Sequence, residues 1–283
     1  MPVITLSPET PFSLDQTLSC GQVFRWDRSE NGWWHGVVDD RAIKIRQDKE
    51  RLRYEGADRQ FIDNYFSLDS DLASIIVSFD RDPFVHAAVE RCRGLRIIRQ
   101  PKWECLISYT IATNSNIPTI RRRIAAICEQ FGSRIRFGGR TFYSFPGPDD
   151  LCCKGADALS CCKLGYRQPF IFRTACEITD REAWERKVDS LAFEDARKEM
   201  MQRSGIGPKA ADCILLFAFG KFEAFPVDVW IRRIMQEHYL PDLNASRSLG
   251  RREYDAVRHF GREYFGEYCG YAQEYLFAAR LEG

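Results

Sequence analysis

The stretch "SGIGPKAADC" (204–213), followed by "FPVDVW" (225–230), decides how this 283-residue chain is read. "EDARKEMMQR" (194–203) before it and "KAADCILLFAF" (209–219) within it have helical spacing, so residues from about 194 to 220 read as helix, tight Gly-x-Gly turn, helix. Gly205 and Gly207 permit positive φ and carry no side chain, so the turn amides and the next helix N-terminus can face an anion such as phosphate closely. A plain αα-hairpin would use the same glycines to cap and turn. Lys209 heads the second helix, where the helix dipole disfavours a cation and eases loss of a proton. An amine nucleophile needs that lowered proton affinity. Asp228, nineteen residues later and after Pro226, is placed to N-cap the following helix and stay ionised. A carboxylate fixed beside an amine suits a reaction that builds positive charge on a sugar ring.

Around this segment the pattern divides. "GQVFRWDR", "GWWHGVVDD", "RAIKIRQ" and "RLRYEG" in the first hundred residues are short, aromatic and β-branched, with Gly, Asp-Asp and Gln-Asp-Lys turns between them. They predict an antiparallel meander. "DRQFIDNYFSLD" and "PFVHAAVERCRG" then carry helical spacing, with Asp58, Asp80 and Asp82 as expected starts. From Pro101 onward the pattern reads as almost wholly helical. The expected architecture is α+β: a small N-terminal antiparallel sheet domain with flanking helices (1–100), packed on a larger all-helical domain (101–283) that contains the helix-hairpin-helix.

Composition is consistent with a folded chain, 45% hydrophobic and 29% charged with a formal net charge of +1. Residues 1–100 carry 14 Lys+Arg against 16 Asp+Glu and residues 101–283 carry 27 against 24, so the C-terminal part is the more basic. No window reaches the roughly 18 apolar residues of a membrane span, and the start "MPVITLSPETPFSLDQ" lacks a secretory pattern, so a soluble intracellular protein is expected. The pairs Cys152-Cys153 and Cys161-Cys162 invite a metal or disulfide reading, but they lack Cys-x-x-Cys spacing and a nearby His. Free thiols in a reducing compartment are the expectation.

"SGIGPKAADC" with "PVDVWI" resembles the helix-hairpin-helix, Gly/Pro-rich loop and aspartate signature of base-excision DNA glycosylases, in the bifunctional branch that carries the lysine. "LSCGQVFRW", "ATNSNI", "KLGYR" and "GYAQEYLF" narrow the resemblance to the 8-oxoguanine DNA glycosylase/AP lyase family, over nearly the whole chain. The resemblance implies a repair enzyme that flips 8-oxoguanine from duplex DNA into a pocket between the two domains. Lys209 would attack the sugar C1′, displace the base and form a Schiff base, through which β-elimination nicks the strand. Asp228 would hold the amine and stabilise the oxocarbenium charge.

By the same resemblance the Gly21 carbonyl accepts the N7 proton of the oxidised base, Gln273 reads its Watson-Crick edge, and Phe277 and Cys213 form opposite walls around it. Asn114 fills the gap left in the duplex, Tyr166 wedges the stack, Arg167 reads the orphaned cytosine, and the Gly205–Gly207 hairpin holds phosphate. In helices, Phe277 and Cys213 would otherwise be ordinary core. Two positions depart from the eukaryotic members. Thr119 stands where a second cytosine-reading arginine is found, which implies relaxed opposite-base selectivity. Trp230 stands in place of a phosphate-binding histidine, which shifts that task to the hairpin amides and to arginines among residues 121–123.

The C-terminal region offers only Cys269, so no iron-sulfur quartet forms and no metal or other cofactor is expected, although the hairpin carbonyls could hold a monovalent cation. The expected partner is double-stranded DNA containing 8-oxoguanine, met by a monomer in the cytoplasm or nucleoid, or in the nucleus of a eukaryote, with no membrane association. The alternatives are a glycosylase of the same fold for another damaged base, or a non-catalytic helix-hairpin-helix DNA-binding protein. Gln273 and Gly21 speak against the first, and the joint presence of Lys209 and Asp228 against the second.

Overall fold

In the computed structural model, residues 1–7, 11–243 and 249–280 are described. Five antiparallel strands form one sheet in the order β1-β5-β4-β3-β2: β1 (Val3–Thr5), β2 (Trp26–Arg28), β3 (Trp34–Val38), β4 (Arg41–Asp48) and β5 (Arg51–Glu55). The sequence turns close it, with Asp39 and Lys49 at positive φ in the two tight connections. One face carries Trp26, Ile43, Ile45, Leu52 and Tyr54, all buried. Helices α1 (Leu14–Ser19) and α2 (Arg59–Tyr65) complete this smaller core, and the Trp26 indole donates to the Tyr65 hydroxyl at 2.9 Å.

Helices α3 (Leu72–Phe79) and α4 (Pro83–Arg91) precede residue 100 but pack into the larger core with the helices that follow. Asp58, Asp71 and Asp82 cap α2, α3 and α4. Asp80, expected as a helix start, instead ends α3, and its carboxylate binds His86 at 2.8 Å.

The larger core contains α5 (Lys102–Ala112) and α6 (Ile117–Phe131). The Asn116 side chain caps α6 through the Thr119 amide, and Ile120, Ile124 and Ile127 recur on its buried face. The almost wholly helical part after Pro101 has one exception among the described residues, a hairpin of β6 (Arg134–Phe137) and β7 (Arg140–Tyr143). Gly138 and Gly139 both take positive φ there, the two-residue turn that joins antiparallel strands.

Then follow α7 (Pro148–Cys152), α8 (Gln168–Glu177), α9 (Arg181–Ser190), α10 (Phe193–Met201), α11 (Pro208–Phe219), α12 (Val229–His238), α13 (Arg251–Phe265) and α14 (Cys269–Ala279). The expectation of free thiols is corrected at one residue: Cys152 is bonded to Cys176, which ties α7 to α8, while Cys153, Cys161 and Cys162 remain thiols. Sequence spacing hid the partner because 24 residues separate the two cysteines and only the packing of α8 against α7 brings their Cα atoms to 5.3 Å. Among the described residues no helix is long and apolar enough to cross a membrane.

Candidate active site

The hairpin between α10 and α11 is fixed from beneath by a buried ion network. Asp212 is fully buried, accepts from Arg197 at 2.7 Å and from the Tyr254 hydroxyl at 2.5 Å, and so joins α10, α11 and α13. Gly205 takes φ +81°, and a Cβ there would come within 2.5 Å of the Phe170 ring. Gly207 does not use glycine's freedom: it caps α11 with φ −90° and extended geometry.

Lys209, one residue into α11, faces a cleft of about 500 Å³. The same cleft is lined by Gly21, Tyr109, Cys213, Asp228, Gln273, Glu274 and Phe277. The catalytic and base-binding candidates thus come from α11, the α12 cap, α14 and the loop after α1. Gly270 makes this possible, because a Cβ there would press to 2.4 Å from Leu216 and hold α14 away from α11. Asp228 caps α12 as expected, its Oδ1 accepting from the amides of Trp230 at 2.9 Å and Ile231 at 2.8 Å.

The Lys209 side chain is open to the cleft, yet its ammonium is ringed by protein, with Nζ 5.3 Å from the centre of the Tyr109 ring. Burial lowers its proton affinity, but the hydrogen-bonded Cys213 sulfur, Asp228 and Glu274 outweigh burial and raise it above the ordinary lysine range. The expectation that the helix dipole leaves an easily deprotonated amine is therefore corrected. Burial pushes the Cys213 thiol up to about 12.

Gln273 is buried with its Oε1 unpaired by protein, and Phe277 lies one turn further along α14. Gly21 takes φ +102° close to Phe277. Gln22 anchors that loop: its side chain donates to the Thr17 and Arg96 carbonyls, both at 2.9 Å, and accepts from the Ile98 amide at 2.8 Å.

A second group stands at the end of α5. Asn114 takes φ +48° and its amide reaches the hydroxyl of the exposed Tyr166 at 3.4 Å. Arg167 is buried beneath, its Nε and Nη2 donating to the carbonyls of Thr113 and Asn114 and its guanidinium over the Tyr166 ring. Of the three arginines on α6, Arg121 is held by Asp27 and Arg123 by Ser115 and the Lys163 carbonyl, which leaves Arg122 exposed.

Gln22, Tyr109, Glu274 and Arg280 line the cleft and escape the sequence reading. Glu274 has a visible signal, an acid inside the apolar run of α14. Arg280 lies 4.4 Å from the Trp230 ring and 4.3 Å from the Phe277 ring, so a cation does stand beside the position where Trp230 replaces histidine.

Residues 4–106 match the family described as 8-oxoguanine DNA glycosylase, N-terminal domain. The chain is 34% identical to a probable N-glycosylase/DNA lyase of Methanothermobacter thermautotrophicus, over 95% of this chain and 94% of that one. It is 28% identical to the N-glycosylase/DNA lyase of Saccharomyces cerevisiae, over 95% of this chain and 84% of that one. The structure of Clostridium acetobutylicum 8-oxoguanine glycosylase/lyase, in complex with double-stranded DNA containing cytosine opposite 8-oxoguanine, superposes with a TM-score of 0.87 at 32% identity, covering 96% of this chain and 92% of that one. With fold, site and whole-length likeness in agreement, the chain belongs to the 8-oxoguanine DNA glycosylase family.

Proposed function

We propose that this chain is a bifunctional DNA N-glycosylase/AP lyase that excises 8-oxoguanine from double-stranded DNA, with Lys209 as the nucleophile. The observation that carries the reading is the convergence of Lys209, Asp228, Gln273, Phe277 and Cys213 on one cleft. A non-catalytic helix-hairpin-helix module would have no use for it.

Lys209 attacks C1′ of the flipped nucleotide as the bond to the base breaks, and the amine then forms a Schiff base through which β-elimination cuts the strand. Asp228, held in place by its two amide bonds, stabilises the positive charge that develops on the sugar. The Gly21 carbonyl accepts the N7 proton of the oxidised base. Guanine has a lone pair there instead, and the unmatched contact costs about 1–3 kcal/mol. Gln273 reads the base edge and Phe277 and Cys213 enclose its faces.

Asn114 fills the space left in the duplex, Tyr166 wedges the stack, Arg167 reads the orphaned cytosine, and the Gly205–Gly207 hairpin holds a phosphate. Thr119 makes no bidentate base contact, so selectivity for the opposite base is relaxed. The division of labour between residues 1–100 and 101–283, monomeric action, and an intracellular location on the DNA belong to the same proposal.

Release of the free base tests the reading. Incubation with duplexes carrying 8-oxoguanine, an alkylated purine or an oxidised pyrimidine should liberate 8-oxoguanine foremost; release of another lesion alone would transfer the chain to a different substrate.

A further inference from the structure

Glu274 is a carboxyl group for which the mechanism above has no role, and it lines the same cleft as Lys209. It is 3% exposed, and its Oε1 has no protein hydrogen-bond partner. Tyr109 on α5, Lys209 and Cys213 on α11 and Asp228 on the α12 cap line the cleft with it, and the Cys20 thiol at the end of α1, Lys209 and Asp228 act on its charge. A buried acid whose charge acts on the nucleophile and whose Oε1 lacks a partner is costly to keep.

We propose that Glu274 accepts the proton that the Lys209 ammonium must lose before its nitrogen can attack. The proposal rests on the assignment of Lys209 as nucleophile. The Lys209 ammonium is favoured in the free protein, so a proton acceptor is required once the flipped base excludes water from the cleft. Asp228 is occupied as a cap, with two amides on Oδ1. Cys213 and Tyr109 are neutral, both pushed up by burial. Glu274 is raised to about 7, chiefly by burial, so its carboxylate is a better acceptor than an ordinary glutamate while remaining available at neutral pH. Two carboxyls around one amine thereby take two roles, set by their surroundings.

In the step, an N–H bond of the ammonium breaks and its proton joins a Glu274 carboxylate oxygen. The freed pair on Nζ bonds to C1′ while the C1′–N9 bond breaks and its pair leaves with the base. The departing anion then takes up one proton, the number that Glu274 holds. No oxidant or further reactant is needed.

The test is single-turnover excision of 8-oxoguanine from pH 5.5 to 9 by the wild type, Glu274→Gln and Glu274→Asp, with binding to a duplex carrying a tetrahydrofuran abasic analogue measured in parallel. The proposal requires one proton shared between Lys209 and Glu274, so the wild-type rate should rise to a plateau with a midpoint near neutral. Glu274→Gln should be slower by about 100-fold at neutral pH, as loss of a general base typically costs. Its rate should instead climb about tenfold per pH unit, because bulk water must now take the proton. Glu274→Asp should restore part of the rate and a plateau. A Gln variant that keeps the wild-type rate and midpoint overturns the proposal, as does an Asp variant as slow as Gln at every pH while both bind the abasic duplex. Failure of the wild type to excise the base at all would instead remove the functional reading itself.

Discussion

The Lys209 ammonium lies over the ring of Tyr109, 5.3 Å from its centre, so the nucleophile rests against a π-face in the cleft that Asp228 and Glu274 also line. Such a contact favours the charged amine by roughly 0.5–2 kcal/mol, equivalent to about half to one and a half pH units. Tyr109→Leu should therefore move the alkaline limit of the borohydride-trapping rate downward by that amount, whereas Tyr109→Phe keeps the ring and leaves the limit in place. An unmoved limit in the Leu variant would separate the ring from the amine's protonation.

Burial of Glu274 also bears on stability. Its carboxyl is raised from 4.5 to about 7, so the native state binds more protons than the unfolded chain within that window. Stability therefore falls as pH rises from about 4.5 through 7, by an amount on the order of a few kcal/mol. Glu274→Gln removes this loss, and urea unfolding at pH 5 and pH 8 should show the variant gaining on the wild type at the higher pH. Equal pH slopes for both proteins would place Glu274 in water.

How much of this arrangement the sequence discloses depends on the range of the interactions. The meander is legible because its turns are local: Asp39-Asp40 and Asp48-Lys49 stand between alternating runs. Lys209 and Asp228 are legible because their spacing and caps are local too. The β6–β7 hairpin also has a local signal in Gly138-Gly139, which the surrounding helical pattern obscures. The direction of the Lys209 shift is not legible, because Glu274 and Tyr109 reach it from α14 and α5, sixty-five and one hundred residues away along the chain. The Asp212 network is hidden for the same reason: Asp212 and its partners lie on three helices and meet only in the packed fold.

Asp212 should be needed for stability rather than chemistry. Removing one partner of a buried ion pair strands the others, at a cost of about 3–5 kcal/mol. Asp212→Ala should show this loss in denaturant unfolding. A variant within 1 kcal/mol of the wild type would mean that the arginines find water instead.

Arg280 stands between Trp230 and Phe277 and supplies positive charge beside the cleft. If it meets a DNA phosphate, Arg280→Gln should flatten the slope of log binding constant against log salt by about 0.9. An unchanged slope would confine Arg280 to packing against the two rings.

Thr119 donates its amide to the Asn116 side chain and presents only a hydroxyl. Excision opposite cytosine should exceed excision opposite every other base by less than a hundredfold, and Thr119→Arg should sharpen that preference by about 1–3 kcal/mol. A hundredfold or greater preference in the wild type would contradict the relaxed selectivity.

In the proposed reaction Lys209 becomes covalently bound to the DNA. Borohydride added during turnover of a duplex with 8-oxoguanine opposite cytosine, followed by peptide mapping of the protein-DNA adduct, tests it most directly. The adduct should form in high yield, map to Lys209 and vanish in Lys209→Gln, which should still bind the duplex. Excision without a trapped adduct, or an adduct on another residue, would contradict the account.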